Sequence, residues 1–244
     1  MTTFRLDVAY DGAGFRGYAK QEGLRTVQGE LESALEAVLG APVPTTAAGR
    51  TDAGAHALGQ VVSFSTDVEV GPARIARSVN GIVGPEISVT AASVAPDGFN
   101  ARFSASWRRY RYLIGVGPAP DPLTRHVVWH VGRVLDVAAM RHVAEALVGE
   151  HDFSSFCKKT DGSGAVRRVE DAEWRERPGR LELWIRANAF CRQMVRSVVG
   201  YCYDVGRGFS DPSGAADVIA ARDRSAVATV APPHGLTLWE VGYA

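Results

Sequence analysis

The densest group of chemically useful side chains lies in Ala48-Gly49-Arg50-Thr51-Asp52-Ala53-Gly54-Ala55-His56-Ala57. A carboxylate, Asp52, stands two residues beyond a guanidinium, Arg50, and glycines flank both. Glycines permit close approach of a ligand's backbone, and Arg50 can hold a phosphate or fill the space of a displaced base. Asp52 offers a nucleophile or a base, and nearby arginines would favour its charged form. The same residues also suit a turn in which the aspartate bonds its own backbone. Taken alone, the loop leaves both readings open.

A second pattern, Gly12-x-Gly14-x-x-Gly17, follows a strand-like run and imitates a dinucleotide-binding fingerprint. In that fingerprint the helix opens within the glycine loop, so that its N-terminal amides meet the pyrophosphate. Here Tyr18, Lys20 and Glu22-Gly23 intervene, and helical spacing starts only near Thr26. A glycine-rich loop after an edge strand is expected instead. His126 and His130 are four apart, but in the strand-like HVVWH they would lie about 13 Å apart, too far to share a metal. No metal site is expected, and no GxSxG, Walker loop or HxxEH pattern appears.

The segment from Asn100 to Arg133 holds Arg102, Arg108, Arg109, Arg111, Arg125 and Arg133 against the single acid Asp121. Phe99, Phe103, Trp107, Tyr110 and Tyr112 are interleaved with them, a mixture that binds phosphates and stacks on bases. A solvated strand edge with its aromatics turned to the core would look the same. Alternate strand residues point to opposite faces, and the sequence alone does not say which of Arg109 and Arg111 faces the cleft.

Periodicity supplies the elements that must position these groups. A strand at Phe4 to Tyr10 precedes a helix from Thr26 to Leu39, with Val27, Leu31, Leu35 and Val38 on one stripe. Alternation near Val43 and from Gln60 to Thr66, a helix from Pro72 to Ile82 and a strand from Ile87 to Val94 complete a β-α-β-β-α-β order. The second half repeats it. A strand at Trp107 to Val116 leads to a helix at Val137 to Val148, then to a hairpin turning at Pro178-Gly179. A helix from about Cys191 to Val205 and a strand from Leu236 to Tyr243 follow. The expectation is an α+β protein of two pseudo-repeated ferredoxin-like halves, residues 1–100 and 101–244, sharing a mostly antiparallel sheet with a central cleft.

Composition bounds the rest. The 244 residues, 46% hydrophobic and 22% charged, are those of a globular protein long enough for a sizeable core. Basic and acidic residues balance at 27 each, so net charge announces neither nucleic acid nor membrane. Only Lys20, Lys158 and Lys159 are lysines. That arginine bias fits GC-rich coding, which leaves placement, not number, to argue function. No stretch reaches the roughly 20 apolar residues of a membrane helix. Cys157, Cys191 and Cys202 form no CxxC, and Cys191 and Cys202 on one helix would stand about 16 Å apart in rise, too far to bridge. A reducing, cytoplasmic setting is expected.

GRTDAGAHA is very close to GRTDAGVHA, the signature of the tRNA pseudouridine synthase A family, and the likeness extends along nearly the whole chain. YDGAGFRGY with TVQGELESAL resembles that family's opening segment, and FNARFSASWRRYRYLI its centre. GEHDFSSF, AFCRQMVRSVVGYCYDVGRG and APPHGLTLWEVGY resemble later blocks in the same order. The resemblance implies a cofactor-free isomerisation of uridine to pseudouridine in the tRNA anticodon stem-loop, at positions 38 to 40, by a homodimer. It makes Asp52 the catalytic aspartate and Arg50 the arginine that intrudes where the target base leaves the stack. It makes Tyr110 the tyrosine packed on the uracil and Arg196 the arginine paired with the aspartate. Tyr18, Lys20, Ala55 and Gln193 depart from the family pattern and bear on fine RNA contacts. Two other readings remain: a non-catalytic RNA-binding module, which leaves Asp52 without a task, and a nucleotide-dependent oxidoreductase, which explains only the three glycines.

Overall fold

The computed structural model describes residues 1–158 and 164–243. The chain forms two compact units, one of residues 1–106 joined by the closing residues from Leu238, the other from Trp107 to Thr237.

In the first unit, β1 (Thr2–Tyr10) leads to α1 (Val27–Leu39), β2 (Thr46–Ala47), β3 (His56–Thr66), α2 (Pro72–Val83) and β4 (Ile87–Val94). β1 lies between β4 and β3, antiparallel to both, with Phe4 opposite Phe64 and Leu6 opposite Val62 and Ala92. β2 extends β3 at Thr46 and Ala47. This is the ferredoxin-like order β4-β1-β3-β2. The expectation that the glycine-rich loop follows an edge strand is therefore corrected: β1 is interior. Alternation reports which residues of a strand face the core but not whether the strand has one neighbour or two.

Local chemistry explains the helices. Thr26 caps α1 by accepting from the Gly29 amide, and Gly40 ends it at a φ of 77°. Pro72 opens α2, where a missing amide hydrogen costs nothing. Val27, Leu31 and Leu35 of α1 and Ile75 and Val79 of α2 are buried, as are alternate residues Phe4, Leu6 and Val8 of β1. Truncating such a residue, Leu31→Ala for example, would cost roughly 2–5 kcal/mol.

The second unit takes β5 (Ala105–Gly115) from Trp107, then β6 (Trp129–His130), α3 (Val137–Ala146), β7 (Gly149–Asp152), β8 (Val166–Arg177), β9 (Arg180–Ala187), α4 (Met194–Gly206) and α5 (Ala215–Ala221). The closing strand β10 (Leu236–Tyr243) neighbours β3. Strands β5, β9, β8 and β7 pair in that order, all antiparallel, and β6 adds parallel to β5. The α+β class and the recurrence of β-α-β-β-α order agree with the sequence reading. β7 and α5 are additions to it, and α4 starts three residues later than expected. Gln193 holds a φ of 65°, which no α-helix can run through, so the helix begins after it.

Cys157 and Cys191 stand as a disulfide with Cα atoms 5.7 Å apart, while Cys202 is free and buried. The bridge contrasts with the reduced thiols expected from the sequence, where nothing about a separation of 34 residues marks a pair. No helix among the described residues is long and apolar enough to cross a membrane.

Candidate active site

The loop between β2 and β3 is shaped by its backbone first. The Ala48 amide donates to Val61 O at 2.8 Å, which keeps the loop's entry on β3. Its tip is a tight turn in which the Ala55 amide donates to Asp52 O at 3.1 Å. Gly54, third of the four turn residues, holds a φ of 80°, a conformation in which a side chain would be strained. Asp52 is thereby half-buried at the head of the turn, and Arg50 is exposed beside it.

The rejected dinucleotide motif has a different use in this unit. A Cβ at Gly12 would overlap the Ala55 carbonyl, so the segment after β1 lies directly against the turn. The Gly12 amide donates to His56 Nδ1 at 3.1 Å, and the Tyr18 amide donates to Thr51 O at 3.1 Å. His56, nearly inaccessible, also lies 3.0 Å from Asp11 Oδ1.

Beneath the loop is a buried polar group the sequence reading did not single out. Gln60 on β3 donates from Nε2 to Gly49 O at 2.6 Å and accepts from the Gly49 amide at 3.3 Å. Tyr10 on β1 places its hydroxyl 2.8 Å from Thr51 Oγ1, and Gln60 Nε2 reaches the same hydroxyl at 3.4 Å. Burial pushes the Tyr10 phenol up to about 12, against the opposing effect of its bonds to Thr51 and Gln60. Tyr10 is therefore a neutral hydroxyl at any physiological pH. The only sequence signals were a glutamine inside an apolar strand and a tyrosine at a strand end.

In the second unit Tyr110 is buried on β5, with its ring edge-on to Phe190 at 5.0 Å. Alternation puts Arg108 on the same face, where Nη1 donates to Asn188 O at 2.9 Å. Arg109 and Arg111 occupy the opposite face, paired across to Arg186 and Trp184 of β9. Their guanidinium carbons lie 5.6 Å from the Trp107 ring centre and 5.8 Å from that of Trp184. Burial lowers the Arg111 pKa, partly countered by Glu182. The central basic segment is thus not one continuous arginine track: consecutive arginines of β5 serve opposite faces.

Arg196, on the first turns of α4, donates from Nε to Ala231 O at 2.7 Å and accepts through its own carbonyl from the Ala231 amide at 3.0 Å. Tyr112 donates to Pro232 O at 2.8 Å, which fixes the neighbouring residue of that segment. Burial pushes the Tyr112 phenol up, with Arg196 opposing. Arg50 and Asp52 are thus held on one loop of the first unit, and Tyr110 and Arg196 belong to the second. His130 is engaged by Gly117 O at 2.8 Å, and among the described residues no cluster of three or more His, Cys, Asp or Glu is placed to hold a metal.

A family model described as tRNA pseudouridine synthase matches residues 143–244. Among curated relatives, the tRNA pseudouridine synthase A of Streptomyces griseus is 45% identical over 248 residues, covering 98% of this chain and 87% of the relative. That of Bacillus subtilis is 40% identical over 242 residues, covering 98% of each. That of Ralstonia nicotianae is 42% identical over 248 residues, covering 100% of this chain and 90% of the relative.

Proposed function

Since the chain belongs to the tRNA pseudouridine synthase A family, we propose that it isomerises uridine to pseudouridine in the anticodon stem-loop of tRNA, at positions 38 to 40, with Asp52 as the catalytic residue and no cofactor. The observation that carries this is the seating of the Arg50–Asp52 loop. It is the segment most like the family signature, and it is held from three sides by β3, by β1 and by the glycine segment after β1.

The reaction breaks the C1′–N1 bond, turns the uracil in place and joins C5 to C1′. One proton leaves C5 as another is taken up at N1, the formula is unchanged and nothing is oxidised, so the chemistry asks for no redox or group-carrying cofactor. What it does need is an acid–base or nucleophilic group, a pocket that keeps the detached base from water, and a way to take the base out of the stack. Asp52 supplies the first, by attack on C1′, by attack on the ring or by removal of the 2′ proton. Arg50, exposed on the same loop, fits the place vacated by the base. Tyr110 is assigned to stack on the uracil and to assist at the C5 proton. Arg196 is assigned to support the charge of the catalytic carboxylate. Extruding a base costs a few kcal/mol, which contacts between arginines and phosphates offset.

The same reading makes the enzyme a cytoplasmic homodimer that holds one tRNA across paired basic surfaces. Its test is an unmodified tRNA transcript incubated with the protein, treated with a carbodiimide that marks pseudouridine, and read by reverse transcription. Stops confined to positions 38 to 40 are expected. Stops elsewhere would relocate the substrate site, and none at all would remove the activity.

A further inference from the structure

Two buried polar side chains beneath the catalytic loop, Gln60 and Tyr10, have no part in the mechanism as assigned. Gln60 has no solvent exposure, Tyr10 is 5% exposed and Thr51 8%. A buried amide or hydroxyl destabilises a fold unless its hydrogen bonds are met, and a leucine or valine would fill an interior β3 position without that demand. Here the amide, whose oxygen also accepts from the Val61 amide at 3.2 Å, is turned on the loop. Gln60 meets both polar groups of the Gly49 backbone, and Tyr10 meets the Thr51 side chain. Gly49 and Thr51 are the two residues on either side of Arg50, and Thr51 is joined by its peptide bond to Asp52. The pair therefore fixes the loop at alternate positions, leaving Arg50 exposed and Asp52 half-buried between the fixed points and the turn at Gly54.

We propose that Gln60 and Tyr10 are positioning residues for the isomerisation: by clamping Gly49 and Thr51 from below, they set where the Asp52 carboxylate and the Arg50 guanidinium stand. This rests on the assignment of Asp52 as the catalytic residue. It gives two β-strand residues a part in the chemistry without contact to the substrate. A displacement of about 1 Å at a reacting group can lower a rate about a hundredfold, so loosening the clamp should appear in the chemical step and not in tRNA affinity.

The fold supplies a control away from the clamp. Asn80 on α2, an exposed residue, binds the Val89 backbone in the same two-point manner, accepting from the amide at 2.7 Å and donating to the carbonyl at 2.9 Å. Gln60→Leu, Tyr10→Phe and Asn80→Leu would be compared in full-length protein, with Asp52→Asn alongside. The measurements are melting temperature, tRNA dissociation constant and single-turnover rate at saturating tRNA, below the melting point of every variant. Gln60→Leu is expected to lose at least about tenfold in single-turnover rate and Tyr10→Phe about threefold or more, each with a dissociation constant within about threefold of the parent. Asn80→Leu, which also removes a two-point side-chain contact to the backbone, should keep its rate within about twofold whatever its melting temperature. Normal rates for Gln60→Leu and Tyr10→Phe, or losses confined to tRNA affinity, would overturn the proposal. Should Gln60→Leu fail to fold, Tyr10→Phe, which deletes one oxygen and keeps the ring, decides it. An active Asp52→Asn protein would instead remove the assignment on which the proposal rests; an inactive one with fully active clamp variants would remove only the clamp.

Discussion

Arg196 and Ala231 are bonded twice, once through the arginine side chain at 2.7 Å and once between their backbones at 3.0 Å. The Nε–H is thereby committed to the segment before β10, which orients the plane of the guanidinium. A lysine keeps the charge but gathers its donors on one nitrogen and has no plane. Arg196→Lys should lower turnover by at least about tenfold while tRNA affinity changes by less than about threefold. Steady-state kinetics beside filter binding checks this. Weaker binding with normal turnover would make Arg196 a phosphate contact.

Arg109 and Arg111 share the face of β5 turned away from Tyr110, where Glu170 pairs with Arg186 and Glu173 with Arg175. Acidic side chains are interspersed with the arginines of that face, unlike the linear sequence around it. Binding of tRNA should still weaken with salt, with a log–log slope of about −3 to −5 for four to six phosphate contacts. Arg109→Ala and Arg111→Ala should behave alike and leave that slope nearly unchanged. A drop of about one unit for either would place this face against the RNA.

The three thiols make a chemical prediction. Cys157 and Cys191 are bridged, and burial pushes the Cys202 thiol up to about 12, so it is unreactive as well as inaccessible. Native protein without reductant should give essentially no thiol titre. Unfolded without reductant it should give one thiol per chain, and three after reduction. Three thiols before reduction would show the bridge unformed.

Much of this architecture is legible in local sequence chemistry. Thr26, Gly40 and Pro72 are end signals whose effect depends only on their immediate neighbours, and α1 and α2 fall where those signals put them. β7, four residues of GEHD, has no apolar alternation to announce it and exists by pairing with β8. The interior place of β1 is likewise a property of chain segments far apart in sequence. At the site, Asp52 and Arg50 stand out because their residue types and flanking glycines are unusual together. Gln60 and Tyr10 do not, because a polar residue at a strand position signals nothing until its partners at Gly49 and Thr51 are seen to come from another part of the chain.

The proposed chemistry turns on Asp52. Asp52→Asn is nearly isosteric, so the loop should keep its turn and the protein its tRNA affinity, but the amide is neither a nucleophile nor a base. The direct measurement is tritium release from tRNA carrying uridine labelled at C5, since that hydrogen leaves only when C5 bonds to C1′. Asp52→Asn should release it at least about a thousandfold more slowly than the parent, roughly 4 kcal/mol of barrier, while binding tRNA normally. Release above a tenth of the parental rate would contradict the catalytic role of Asp52 and place the chemistry on another residue.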